Sequence, residues 1–152
     1  MTDLNVLEDW AAPLLQRLEP AARTKLAKTL AQQVRRSQQQ RITAQRNPDG
    51  TAFAPRKPRL RDKTGRVRGK AKMFRRLKTA SMMKARGNAS GLTVGFTGRL
   101  ARIARVHQYG LHDAARPGSK SVKYARREIL GWTPHDFSLL REQLLNHLTN
   151  SA

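Results

Sequence analysis

Four histidines, ten carboxylates and a few serines are the residues of this 152-residue chain whose types could support chemistry. His107 and His112 stand five apart, and His135 and His147 twelve apart. Neither pair has the HExxH spacing that places two imidazoles on one helical face to share a metal. General acid–base catalysis needs two carboxyls held close with separated pKa values, and no spacing enforces this for pairs such as Asp113 and Glu128. No GxSxG occurs, and Ser90-Gly91 precedes an alternating stretch rather than a strand-to-helix elbow. The run Gly87-Asn88-Ala89-Ser90-Gly91 lacks the GxxxxGK[ST] pattern of a phosphate loop and reads as a plain turn. A two-metal nuclease needs clustered acids, whereas residues 21–88 hold only Asp49 and Asp62. Cysteine is absent, which removes thiolate metal sites, iron–sulfur clusters, disulfide frameworks and cysteine nucleophiles. The sequence therefore predicts a non-enzyme with no catalytic residue, no cofactor and no metal site.

What the chain has in excess is positive charge, 31 Lys and Arg against 10 Asp and Glu, for a formal net charge of +21. The excess is concentrated. Residues 1–20 carry a net −3, residues 21–88 a net +19 and residues 89–152 a net +5. Such asymmetry marks a contact surface. Within the basic segment, Arg56, Lys57, Arg59, Arg61, Lys63, Arg66, Arg68, Lys70 and Lys72 form an arm that would meet a partner or DNA. Lys and Arg neutralise phosphates and release counterions, but Phe53 and Phe74 are the segment's only rings, too few for a base-stacking platform. Residue types alone leave three readings open: a nucleic-acid surface, a dock for an acidic protein, or a solvated charged face.

The elements that must position these residues follow from periodicity. Leu4, Leu7, Trp10, Ala11, Leu14, Leu15 and Leu18 make one apolar stripe of a helix over 4–18, with Pro13 inside it. Pro20 opens a second helix, to about 45, on which Ala22, Leu26, Leu30 and Val34 repeat every four residues. Asn47-Pro48-Asp49-Gly50 signals a turn, and a basic Pro- and Gly-rich loop continues over about 47–69. Met73, Phe74, Leu77, Ala80 and Met83 predict a short helix that Gly87-Asn88 closes. Leu92, Val94 and Phe96 alternate as a half-buried strand, and a turn at Thr97-Gly98 leads to a second strand over 100–109, forming a hairpin. Residues 110–122 read as a loop. Thr133 as N-cap, Pro134 at the first helical position and Asp136 at the third open a last helix to about 148, with Trp132 and Phe137 at the staple positions.

The expected fold is α+β: N-terminal helices, a long basic loop, a small antiparallel β-sheet or hairpin, and a C-terminal helix packing on the sheet. Residues 1–152 read as a single domain. No apolar run approaches the ~18 residues of a membrane span, and the acidic N-terminus is not that of a signal peptide.

Several runs stand in a recognisable order. Arg41-Ile42 through Gln45-Arg46 ends the long helix and is followed by Asn47-Pro48-Asp49-Gly50-Thr51. Met73-Phe74-Arg75-Arg76-Leu77 comes next, and then Leu92-Thr93-Val94-Gly95-Phe96. Ile103-Ala104-Arg105-Val106-His107-Gln108-Tyr109-Gly110-Leu111 is the most specific piece. Tyr124-Ala125-Arg126-Arg127-Glu128-Ile129-Leu130-Gly131 closes the set, with Ala125 where Pro is usual. In these runs the chain resembles, nearly end to end, the phage virion morphogenesis family, the tail-completion proteins of contractile-tailed temperate phages and related prophages.

The resemblance implies a structural protein of the virion neck, at the head–tail interface, assembled in the bacterial host cytoplasm. It implies a homo-oligomeric ring, a hexamer by tail symmetry or a dodecamer at the connector. The ring's partners would be the tail tube or tail terminator and the head connector, with nonspecific contact to packaged DNA and no membrane. It requires no cofactor and no catalytic residue. Arg105, His107, Gln108, Tyr109 and Gly110 then stand as family-motif positions at a subunit interface or lumen; alternatively they are a strand end whose Tyr packs and whose Gly turns. The rival function is a sequence-nonspecific nucleic-acid-binding protein that uses residues 21–88.

Overall fold

Leu and Ala at three- and four-residue spacing and one hairpin account for half of the architecture; irregular chain pinned by polar side chains accounts for the other half. The computed structural model describes residues 3–56 and 72–150. Their order is α1 (Asp3–Leu15), α2 (Pro20–Thr43), β1 (Lys84–Asn88), β2 (Gly91–Gly95), α3 (Gly98–Tyr109), β3 (His112–Ala114), β4 (Ser121–Lys123) and α4 (Pro134–Asn150). Two compact units are built from them, one from residues 1–37, 83–95 and 132–152 and one from 38–82 and 96–131. The α+β class expected from the sequence is the class observed.

In the first unit, Leu7 and Ala11 of α1 meet Leu26, Leu30 and Val34 of α2 and Leu140 and Leu144 of α4. Leu92 and Val94 of β2 pack against this cluster together with Phe137. Burying each such side chain contributes about 1.5–3 kcal/mol. Strands β1 and β2 pair antiparallel from Asn88↔Gly91 to Lys84↔Gly95, and the Asn88 side-chain oxygen accepts the N–H groups of Ser90 and Gly91 across the turn. Gly87 is required by proximity: a methyl there would lie 2.4 Å from the Ala27 carbonyl carbon and the Lys28 nitrogen of α2.

Helix α4 opens as its sequence grammar dictates. The Thr133 hydroxyl accepts the Asp136 N–H at 3.1 Å, while Asp136 Oδ2 accepts the Thr133 N–H and hydroxyl at 2.8 Å each. The Ser37 hydroxyl donates to Asp136 Oδ1, so this fully buried carboxylate is answered by three donors. Trp132 and Phe137 stack with ring centroids 5.7 Å apart.

The second unit buries Ile42, Phe53, Leu77, Ala104, Val106 and Ile129. At Asn47-Pro48-Asp49-Gly50 the Gly50 N–H reaches the Asn47 carbonyl at 3.0 Å and the Asn47 N–H reaches the Thr51 carbonyl at 2.8 Å. Gly50 has φ 87°, a conformation that favours glycine.

Three expected elements are corrected here. Residues 98–109 form helix α3 rather than a second strand, and the hairpin partner of β2 is β1. The reason lies in the arginines: Arg99, Arg102 and Arg105 recur every three residues, which a strand would scatter over both faces and a helix gathers on one. Gly110 ends α3 in the left-handed conformation, φ 63° and ψ 48°, with the Leu111 N–H reaching the Val106 carbonyl at 2.9 Å in a Schellman closure. The stretch from Met73 is a run of turns rather than a helix, because Phe74 adopts φ 63° and so cannot continue helical backbone. Finally, the expected loop over 110–122 contains the short antiparallel pair β3–β4, with Asp113 opposite Val122.

Because Gly87 touches helix backbone that cannot move aside, Gly87→Ala is expected to lower the unfolding free energy by about 1–3 kcal/mol. Urea titration followed by circular dichroism measures it.

Candidate functional site

Among the described residues the second unit's irregular segment 127–131 has no strand partner, so its backbone groups must find side chains or remain unpaired at a cost of ~1–3 kcal/mol each. Gln108 of α3 donates to the Leu130 carbonyl at 2.7 Å and accepts the Leu130 N–H at 3.0 Å. Gln38 of α2 does the same for Gly131, at 3.0 and 3.1 Å. Arg41 donates to the carbonyls of Glu128 and Ile129, at 2.9 and 2.6 Å, and to Gln38 Oε1 at 2.6 Å. The Asn47 side-chain oxygen accepts the Glu128 N–H at 2.9 Å, and the His107 carbonyl accepts the Arg127 N–H at 2.8 Å. Each glutamine amide acts on the peptide as a one-residue strand would.

The device recurs where the basic segment re-enters the described chain. Gln45 accepts the Met73 N–H at 2.7 Å and donates to the Met73 carbonyl at 3.0 Å. To do so, Gln45 takes φ 57°, the left-handed position where helix ends usually carry Gly. The other flank is held by Arg127, which is 5% exposed. Its guanidinium donates to the carbonyls of Ala54 at 2.7 Å and Pro55 at 2.9 Å. Burial lowers the pKa of Arg127 from its ordinary value.

A row of rings joins the two flanks. Phe53 meets Phe74 edge-on at 5.6 Å, Phe74 meets His107 at 4.9 Å, and His107 meets Tyr124 at 5.1 Å. Each such pair adds about 0.5–1.5 kcal/mol beyond the area it buries. Burial, and secondarily the charge of Arg127, holds His107 below the usual histidine value. Gly131 closes the segment where a methyl would lie 2.3 Å from Pro48 Cγ.

The residues singled out in the sequence divide sharply. His107 and Gln108 point into this framework. Arg105 and Tyr109 stay on the surface, Tyr109 being 62% exposed, and Gly110 is the αL cap of α3. Arg56 and Lys72 are exposed. Lys57, Arg59, Arg61, Lys63, Arg66, Arg68 and Lys70 lie outside the described residues. Sequence reasoning missed Gln38, Arg41, Gln45 and Arg127, and counted the arginines simply as charge. The signal was present in the glutamines that recur around the end of the long helix. Chemically the arrangement binds and rigidifies; among the described residues no three His, Asp or Glu side chains gather as a metal site. No helix among them is long and apolar enough to cross a membrane.

Against known proteins, residues 2–149 match the phage virion morphogenesis family. Tail completion protein S of Escherichia phage P2 is 39% identical over 150 residues, 97% of this chain and 99% of that protein. No solved structure matches.

Two outcomes test the framework. Gln108→Ala leaves the Leu130 N–H and carbonyl without partners and is expected to cost ~2–4 kcal/mol in denaturant unfolding. The lowered pKa of His107 means that the unfolded chain binds its proton more readily than the folded one. Its contribution to stability is therefore complete above the ordinary value of 6.5 and is lost as pH falls through that value toward the folded one. Thermal melts from about pH 7 to about pH 5 should show this decline, and His107→Phe, which keeps a ring in the row, should flatten it.

Proposed function

This chain belongs to the phage virion morphogenesis family, and from that membership we propose that it is a structural protein that completes the phage tail and joins it to the head. The observation that carries this reading is the identity of 39%, over 97% of the chain, to a protein named for tail completion. On this reading the protein works in the virion neck as a ring of six copies. Its partners are the tail tube or terminator on one side and the head connector on the other.

The basic arm is the docking element of this reading, and acidic surfaces of the connector or tail tube are its targets. The structure supplies a physical reason to rank protein above nucleic acid as the partner. Phe53 and Phe74, the only rings of the basic segment, are spent on the row that ends at Tyr124. Neither is free to stack on a base, so DNA contact is limited to phosphate charge. Both flanks of the arm are pinned, by Arg127 at Ala54 and Pro55 and by Gln45 at Met73. The role calls for binding surfaces and no reacting group.

A phage carrying this gene with the reading frame interrupted is expected to accumulate filled heads and separate tails, and addition of the purified chain to the lysate should restore joined particles. Reversing Arg59, Arg61, Arg66 and Arg68 together should cut that restoration at least about tenfold, since like charges facing across an interface cost several kcal/mol. Normal joining without the chain would overturn the function, while normal joining with the reversed arm would overturn only the docking role.

A further inference from the structure

Two exposed surfaces complement each other in both charge and apolar character. Helix α1 contains three acids and no base. On one of its faces Val6, Asp9, Trp10 and Pro13 follow at helical spacing, and Val6 is 51% and Trp10 39% exposed. A helix normally buries such residues, so this face is unpartnered among the described residues.

The second surface is on α3. Arg99, Arg102, Arg105 and Tyr109 share one face, and all are exposed. Tyr109 is the most exposed large hydrophobic among the described residues, at 62%. Arg102 pairs with Asp113 of β3, and Val122 of β4, 46% exposed, stands directly opposite Asp113. Cross-strand partners project from the same side of a ladder, so Val122 joins the patch. Arginines mixed with Tyr and an aliphatic side chain make a surface of protein-interface character; a phosphate-tracking groove has no use for the apolar members.

We infer that the α1 face of one copy of this protein docks on the α3 face of the next, with Trp10 and Val6 against Tyr109 and Val122, and Asp9 toward Arg105. The occupant is a second copy because this chain itself supplies the matching acidic, aromatic-bearing helix. The contact joins two different faces, so it can repeat from copy to copy, and a repeating contact closes into a ring when its rotation permits. This contact is the subunit joint of the ring proposed above and rests on that self-association.

Sedimentation velocity of the full-length protein tests it. Asp9→Arg and Arg105→Glu are each expected to weaken assembly about a hundredfold with unchanged circular dichroism and melting. The double variant, which restores opposite charges at the joint, is expected to recover assembly. Mixing the two single variants should likewise recover assembly, in alternating copies, because each then meets opposite charge on the other at both of its faces. If the unmodified protein assembles and both single variants assemble as well as it does, this joint is wrong while the ring stands. Single variants that dissociate and then fail to pair on mixing also overturn the joint. A protein that remains monomeric at all concentrations overturns the ring itself.

Discussion

The second unit depends on a single constraint: a stretch of five residues, 127–131, that carries buried backbone polar groups and has no neighbouring strand among the described residues. Each unpaired peptide group in such a position offsets about as much as the burial of one hydrophobic side chain contributes. The sequence answers with long polar side chains from two helices. Gln38 and Gln108 each satisfy both groups of one peptide residue, and Arg41 takes two successive carbonyls. A glutamine amide is the side chain that carries a donor and an acceptor side by side at the reach required. Glu lacks the donor and Leu lacks both.

This changes how the net charge is to be understood. Residues 21–88 count as +19, yet Arg41 and Arg46 spend their guanidiniums on carbonyls within the unit, and outside that segment Arg127 does the same. A guanidinium with five donors in a fixed fork can join several carbonyls without becoming neutral. These arginines are structural, and their charge remains as a field rather than as a contact. Among the described residues, charge available to partners projects from Arg56, Lys72, Arg75, Arg76 and the other exposed cations, those of α2 and α3 included. A buried guanidinium is held by carbonyl dipoles only while those carbonyls stay in place, so the framework and its cations are mutually dependent.

Legibility in the sequence followed the range of the interactions involved. Helices α1, α2 and α4 could be read because their apolar spacing and caps are local, and the Thr133–Asp136 capping box forms as its residue types require. Helix α3 could not, since a strand reading rested on Leu100 and Ile103 while the three-residue arginine repeat carried the helical signal. The turn at Phe74 was illegible for a different reason. Its positive φ goes with ring contacts to Phe53 and His107, which are remote in sequence and have no local signature. The glutamine–peptide pairs belong to the same class: Gln38 and Gly131 lie 93 positions apart. Order of motifs, by contrast, survived all of this and carried the family resemblance.

The nine-residue run from Ile103 to Leu111 shows why motif order outlasts structural reading. Its alternation between inside and outside is helical, so adjacent letters do different work. Gln108 is tied to Leu130, and His107 sits between Phe74 and Tyr124. Arg105, two positions before His107, and Tyr109, one after Gln108, face solvent. A substitution at Gln108 would strip partners from buried peptide groups and propagate to 127–131, and one that removed the His107 ring would break the row. One at the outward pair leaves the unit intact and alters only what it can bind. The same short helix thus fixes the shape of the unit with one face and offers that shape to a partner with the other.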